Sequence, residues 1–118
     1  MSHTCHHPYC DRQVPPSMLA CYRHWYILPQ KMRAAIWREY RSGQENDKRP
    51  SVRYLAVQRL ACAHWLFKAH DEDAVLEMLP YAVEAMTWQK QAIAEGLGDP
   101  LEGLIPEHWP SPKIVVQE

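Results

Sequence analysis

No apolar run in the 118-residue sequence approaches the roughly 20 residues that a bilayer-spanning helix needs. The first residues are rich in His and Cys and lack the apolar stretch of a secretory signal. Together these absences predict a cytoplasmic protein with no membrane partner. Thiols stay reduced in that compartment, so clustered cysteines are read as metal ligands before disulfides. Phenylalanine is scarce, with one Phe against five Trp and six Tyr. Trp and Tyr each carry a polar tip, which predicts rings at the edge of a thin core or at a binding surface. Catalytic signatures are missing too. There is no H-E-x-x-H, Walker loop, nucleophile elbow or zinc-deaminase H-x-E…P-C-x-x-C pattern. We therefore expect no enzyme activity and no small-molecule substrate. Internal repeats are also absent. The length fits one small domain with a modest core, for which a bound metal is a useful staple.

What the sequence does contain begins with a ligand pattern. Cys5-x4-Cys10 and Cys21-x2-His24 are two short pairs separated by ten residues. Tetrahedral zinc takes four N or S donors, and two close pairs on tight turns supply them at small entropic cost. Three thiolates and one imidazole leave no corner for a substrate water, so the predicted Zn2+ site of Cys5, Cys10, Cys21 and His24 is structural. His6 and His7 are rival fourth ligands. As close neighbours of Cys5 they would have to fold back sharply, whereas His24 has knuckle spacing from Cys21. A Cys21/His24 nucleophile pair is disfavoured, because a zinc-bound thiolate is a poor free nucleophile and no oxyanion-forming motif accompanies it. His3 reads as a solvent residue and Cys62 as a small buried apolar one. His64 and His70 read as packing or surface histidines.

Pro8, Pro15 and Pro16 interrupt regular structure before the second ligand pair. A first helix is predicted from Pro29, placed at its first helical position, to Ser42, with Gly43 as a left-handed stop. Its apolar face is Met32, Ala35, Ile36 and Tyr40. Residues 44–50 form a polar loop. Ser51 caps a second helix running to about His70, apolar on most sides and hence expected at the centre. A third runs from about Glu72 to Glu95 with a stripe at Val75, Leu79, Ala82, Met86 and Ile93, and Pro80 is expected to kink or divide it. Asp71, Glu72 and Asp73 read as N-terminal capping, not as a divalent-metal site. Gly96 and Gly98 end this helix. In the Pro-rich tail, Leu101, Leu104, Ile105 and Trp109 are expected to drape over the helices, and residues 113–116 to extend as a weak edge strand. The predicted fold is mainly α and a single domain. It comprises an N-terminal Cys3His zinc knuckle (1–28), a small three-helix core (29–96) and an irregular C-terminal tail (97–118).

The net charge of −1 hides a split. Residues 1–70 carry eleven Lys/Arg against four acids, a net of +7, and residues 71–118 carry two Lys against ten acids, a net of −8. Arg12, Arg23, Lys31, Arg33, Arg38, Arg41, Lys48, Arg49 and Arg53 can form a basic surface beside the knuckle, with Trp37 available to stack. Such a surface suits a phosphate backbone. The plainer alternative is a solvated face answered by the acidic third helix. No base-reading motif is present.

The run C-Y-R-H-W-Y-I-L-P-Q-K-M-R-A-A-I-W-R-E-Y-R-S-G-Q resembles a group of short proteins of tailed bacteriophages and prophages. Their pattern is similar to C…C…CxxHW…LP..LR..IW..YR.GQ, matched here by Cys5, Cys10, Cys21, His24, Trp25, Leu28, Pro29, Arg33, Ile36, Trp37, Tyr40, Arg41, Gly43 and Gln44. Met32 stands where that pattern has Leu. The resemblance covers about residues 5–55 and implies a phage origin and a zinc-binding module, with no established activity. Two partner classes follow as expectations. One is nucleic acid, met by the basic face. The other is a host nuclease, polymerase or defence complex, bound and inhibited through the acidic C-terminal half.

Overall fold

The computed structural model describes residues 3–15, 18–40, 51–67, 71–106 and 109. The expected stop at Gly43, the 44–50 loop, Arg41, Lys48, Arg49, His70 and the 113–116 segment lie outside the described residues.

The N-terminal segment is more regular than its prolines suggest. Two-residue strands β1 (His3–Thr4) and β2 (Gln13–Val14) pair antiparallel, His3 opposite Val14 and Thr4 opposite Gln13. A short helix α1 (Tyr22–Ile27) then starts from Cys21 as its N-cap. It ends at Leu28, whose extended backbone (φ −68°, ψ 141°) is the conformation imposed on a residue that precedes proline. Sequence reading missed α1 because six residues carry too little periodicity to register.

Helix α2 (Gln30–Glu39) buries Met32, Ala35 and Ile36, the face predicted for it, with Tyr40 half-buried at its end. Pro29, expected as the first helical residue, is instead the N-cap, and the helix stops at Glu39, short of the expected Ser42, with Tyr40 extended. Helix α3 (Val52–Leu66) begins where Ser51 Oγ accepts a hydrogen bond from the Tyr54 amide at 3.1 Å. Nine of its residues are buried, among them Val57, Leu60, Ala61 and Cys62. As expected for an all-round apolar helix, it is central, packing on α2 and most extensively on α4. Burial of each large apolar side chain such as Leu60 contributes about 1.5–3 kcal/mol.

Helix α4 (Glu72–Ala94) is capped by Asp71, whose Oδ1 accepts from the Ala74 amide at 3.2 Å, with Glu72 and Asp73 in the favourable first turn. Its buried stripe is Ala74, Met78, Ala82, Ala85 and Ala92. This corrects the expected face: Val75, Leu79 and Met86 are only half-buried and Ile93 is exposed. The chain selects alanines because a small-residue stripe lets α4 approach α3 closely, a preference that a search for large apolar residues overlooks. Pro80 does not divide the helix. Its missing amide frees the Leu76 carbonyl, but both residues are exposed and solvent can supply the lost donor. The helix closes with two bonds, Leu97 N–H to Ala92 C=O (2.9 Å) and Gly96 N–H to Ile93 C=O (3.0 Å). This left-handed stop needs the positive φ of 76° at Gly96.

The segment after α4 docks back as expected for Leu101, which is fully buried; Leu104 and Trp109 pack partly buried on the core, while Ile105 stays exposed. Trp109 lies against the rings of His64 and Phe67, so His64 is a packing histidine. A buried carboxylate holds this segment. Glu39 accepts a two-pronged bond from Arg53 (Nε and Nη2, both 2.8 Å) and a third from Arg38 Nε at 2.7 Å. Arg53 then donates to the Leu97 carbonyl, and Arg38 Nη2 to the Pro100 carbonyl at 3.4 Å. The Arg53 hydrogen bond, reinforced by Arg38, holds the Glu39 carboxyl below the usual carboxylate range even though burial opposes it.

A depressed carboxylate contributes stability that is present above its unfolded pKa and lost as pH falls through its folded pKa. Glu39→Gln should therefore cost about 1–3 kcal/mol at neutral pH in urea denaturation, since it leaves Arg53 underpaired. The gap to the parent should close as the pH falls through the acid range. A gap that does not change with pH would show that the charge of Glu39 is not what stabilises the junction.

Candidate metal centre

Four donors meet where the strand pair abuts α1. Cys5 follows β1, Cys10 lies in the turn towards β2, Cys21 is the N-cap of α1, and His24 is in its first turn. The turn is set by backbone bonds from the Cys10 amide to the His7 carbonyl (3.0 Å) and from the Cys5 amide to the Arg12 carbonyl (2.8 Å). The His6 amide to the Leu19 carbonyl (3.0 Å) draws the two ligand pairs together. Cys5 and Cys21 are buried, while Cys10 and His24 are half-buried.

The ligand atoms of all four residues lie within 4.8 Å of one another. His24 Nδ1 is 3.2 Å from Cys21 Sγ and 3.6 Å from Cys5 Sγ. A tetrahedral ion with bonds of ~2.3 Å to sulfur and ~2.0 Å to nitrogen spaces its donors by roughly 3.5–3.8 Å. The two His24–sulfur separations bracket the sulfur–nitrogen value, and all four cysteines of the chain are free thiols. The group can therefore hold a metal ion.

Burial pushes the Cys5 thiol up to about 11, which favours the neutral thiol; only a bound cation would favour its thiolate. Burial also pushes Cys21 upward, but the His24 backbone amide, the neighbouring thiols and Arg12 outweigh it and the net shift is downward. Burial, with Arg23 and Arg12 nearby, lowers His24, favouring the neutral imidazole that binds metals.

His6 and His7, the rival ligands, lie outside this group. His6 Nδ1 is 3.2 Å from Gln58 Nε2, and His7 Nδ1 accepts the Tyr9 amide at 3.1 Å. His7 instead stacks on His24, ring centroids 4.1 Å apart, and lies 5.4 Å from the Trp65 ring. Trp65 Nε1 donates to the His24 carbonyl at 2.9 Å, and Cys62 Sγ to the His6 carbonyl at 3.6 Å. Both anchors sit on α3, so the cluster is docked onto the central helix. Cys62 is buried as expected, with its thiol pushed up to about 11 by burial. The role of Trp65 was legible only as a buried indole in want of an acceptor.

The predicted basic face is divided. Arg23 and Lys31 are exposed and have no ion pair among the described residues. Arg33 lies half-buried, its Nε donating to the Leu28 carbonyl at 3.2 Å and its guanidinium 4.9 Å above the Tyr26 ring. Trp37 is half-exposed and meets Trp25 and Tyr40 edge-on at 6.0 and 5.8 Å. Arg38 and Arg53 are committed to Glu39. The charge split is answered in part inside the fold, where Arg59 of α3 pairs with Glu84 of α4 at 2.9 Å. No described helix is long and apolar enough to cross a membrane. Comparison of the chain with protein-family models, curated proteins and solved structures finds no match.

If the cluster is what orders the N-terminal segment, removing one donor should act locally. Cys21→Ser, or treatment with a strong chelator, should speed amide exchange across residues 3–28 and leave the α3–α4 amides protected. Retained N-terminal protection would mean that backbone bonds alone hold this segment.

Proposed function

We propose that residues 3–28 form a structural zinc module and that the protein is a non-enzymatic nucleic-acid-binding factor of phage origin. Zinc suits the donor set, since three thiolates and one imidazole at tetrahedral spacing are the chemistry of closed zinc sites. Cys5, Cys10, Cys21 and His24 would hold the ion, which supplies a cross-link between the strand pair and α1. With all four corners taken by protein, no position remains for a substrate water.

The observation that carries the nucleic-acid reading is a charge gap. From Arg12 to Arg38 the chain has no acidic residue; Arg12 and Arg23 lie near enough to His24 to lower its pKa, Arg33 covers Tyr26, and Lys31 is exposed on α2. Arg38 and Arg53 pair with Glu39, though Arg38 stays exposed. The contact expected is with phosphates, electrostatic and steeply salt-dependent. A second reading has its own support. Helix α4 exposes Leu76, Val83 and Ile93 among acidic side chains, a surface suited to a host protein complex.

Two measurements test these readings. Cobalt substitution should give thiolate-to-metal charge-transfer bands and tetrahedral d–d absorption at one ion per chain, and Cys5→Ser should weaken both. An octahedral spectrum would remove the closed site. Nucleic-acid affinity should fall with salt, with a log–log slope of about −3 if four cations engage a single strand. Arg23→Ala with Lys31→Ala should reduce that slope by about 1.4–1.8. Absence of binding at low salt, with stoichiometric recovery of a host protein lost on Leu76→Asp, would transfer the function to α4.

A further inference from the structure

Helix α1 buries none of its six residues. A helix that short does not persist alone in water, and here it is fixed by Cys21 and His24 at its start and by the Trp65 bond to the His24 carbonyl. Trp25, half-buried against the core and edge-on to Trp37, is its one large packing contact, so what α1 displays on its other side is set by that ring together with the Cys/His cluster. Tyr22 is 78% exposed, Tyr26 is 56% exposed, and Ile27 beside them is 53% exposed. Scattered exposed apolar residues are ordinary on a protein surface, but these three form one patch. The two tyrosines lie one turn apart, ring centroids 4.7 Å from each other and planes tilted by 53°.

The stretch that carries the patch holds cations and, from residue 12 to 38, no acid. Arg23 stands between the tyrosines in sequence, Arg33 covers Tyr26 at 4.9 Å, and Lys31 is exposed on the adjoining turn of α2. Aromatic faces interleaved with cations bind nucleic acid by stacking bases while the cations follow the phosphates. In a duplex the base faces are already buried against one another, so protruding rings find no partner there. Unpaired bases have free faces. The tilt between Tyr22 and Tyr26 presents two separate faces, which suits successive bases splayed from a flexible strand. The Arg33 guanidinium extends the stacking surface at Tyr26.

We propose that Tyr22 and Tyr26 form a stacking platform for unpaired bases, and that the partner is single-stranded nucleic acid. The proposal rests on the nucleic-acid reading above and sharpens it. Neither tyrosine stood out in the sequence, where the basic residues and Trp37 drew the assignment.

The test uses the full chain loaded with zinc, a labelled oligothymidylate of about 12 nucleotides, within the roughly 4–16 that such surfaces cover, and a duplex of equal length. The parent should bind the single strand more tightly than the duplex. Tyr22→Ala with Tyr26→Ala should weaken single-strand binding roughly 30-fold or more and leave duplex binding unchanged. Tyr22→Phe with Tyr26→Phe keeps the rings and should keep the affinity. This pair, which adds no cavity, decides the matter even if the alanine pair is poorly folded. Loss of affinity in the Phe pair equal to that in the Ala pair overturns the platform. Equal binding of single strand and duplex, unaffected by either pair, also overturns it while leaving the nucleic-acid reading standing. No binding to either probe at low salt removes both. A parent that sediments as a dimer, a monomeric alanine pair and no oligonucleotide shift would assign the face to self-association and overturn the platform as well.

Discussion

Three cysteines and one histidine converge within 4.8 Å at a point where Val14, Leu19, Ala20 and Leu28 enter the core. The regular structure around them is slight: the strand pair has two residues on each side, and α1 fully buries none of its six, with Trp25 half-buried against the core. Neither element is stable on its own, because isolated hairpins and single helical turns are marginal in water. Burial favours the neutral Cys5 thiol, so gathering thiolates at this point would require a cation. A metal ion held there would add a cross-link to a segment whose regular elements are short.

That local device matters to the whole because of where it docks. The His24 carbonyl accepts from Trp65 and the His6 carbonyl from Cys62, one turn apart on α3. Helix α3 is also the surface on which α2 and α4 pack. A single helix therefore receives the metal cluster, the basic helix and the acidic helix. At the opposite margin of α2, Glu39 performs the corresponding task by polar means, gathering Arg38 and Arg53 and, through them, the carbonyls of Leu97 and Pro100. Two of the arginines that a charge count assigns to a binding face are in this way structural.

Legibility in the sequence followed the physics of each signal. The ligand set was readable because metal spacing is a short-range constraint written in two residue types. His24 could be preferred over His6 and His7 by spacing alone, and it is His24 that joins the cluster. Helices α2, α3 and α4 were readable from periodicity, from Ser51 and Asp71 as caps, and from Gly96 as a stop. The buried face of α4 was readable only at Ala82; Ala74, Met78, Ala85 and Ala92 complete it, and which face turns inward depends on what the partner helix offers. The pairing of Arg38 and Arg53 with Glu39 was not legible for a related reason. A cation in sequence has no visible partner until the fold brings Glu39 beside it. Tyr22 and Tyr26 were overlooked because their exposure follows from the metal cluster holding a helix that packing alone does not bury.

The dependence of α1 on the cluster joins the two halves of the functional reading. If aromatic rings are to stay exposed, apolar burial cannot be what fixes the helix that bears them, since burial would consume the same rings. A metal cross-link escapes that conflict. Held by four ligand side chains and by Trp25 against the core, α1 would keep Tyr22, Tyr26 and Ile27 facing solvent. A small chain with only a modest core has few other means of keeping a rigid, exposed aromatic surface. On this view zinc takes no part in recognition chemistry. It sets the geometry that allows a six-residue helix to act as a surface, and the basic residues around it determine which polymer that surface attracts.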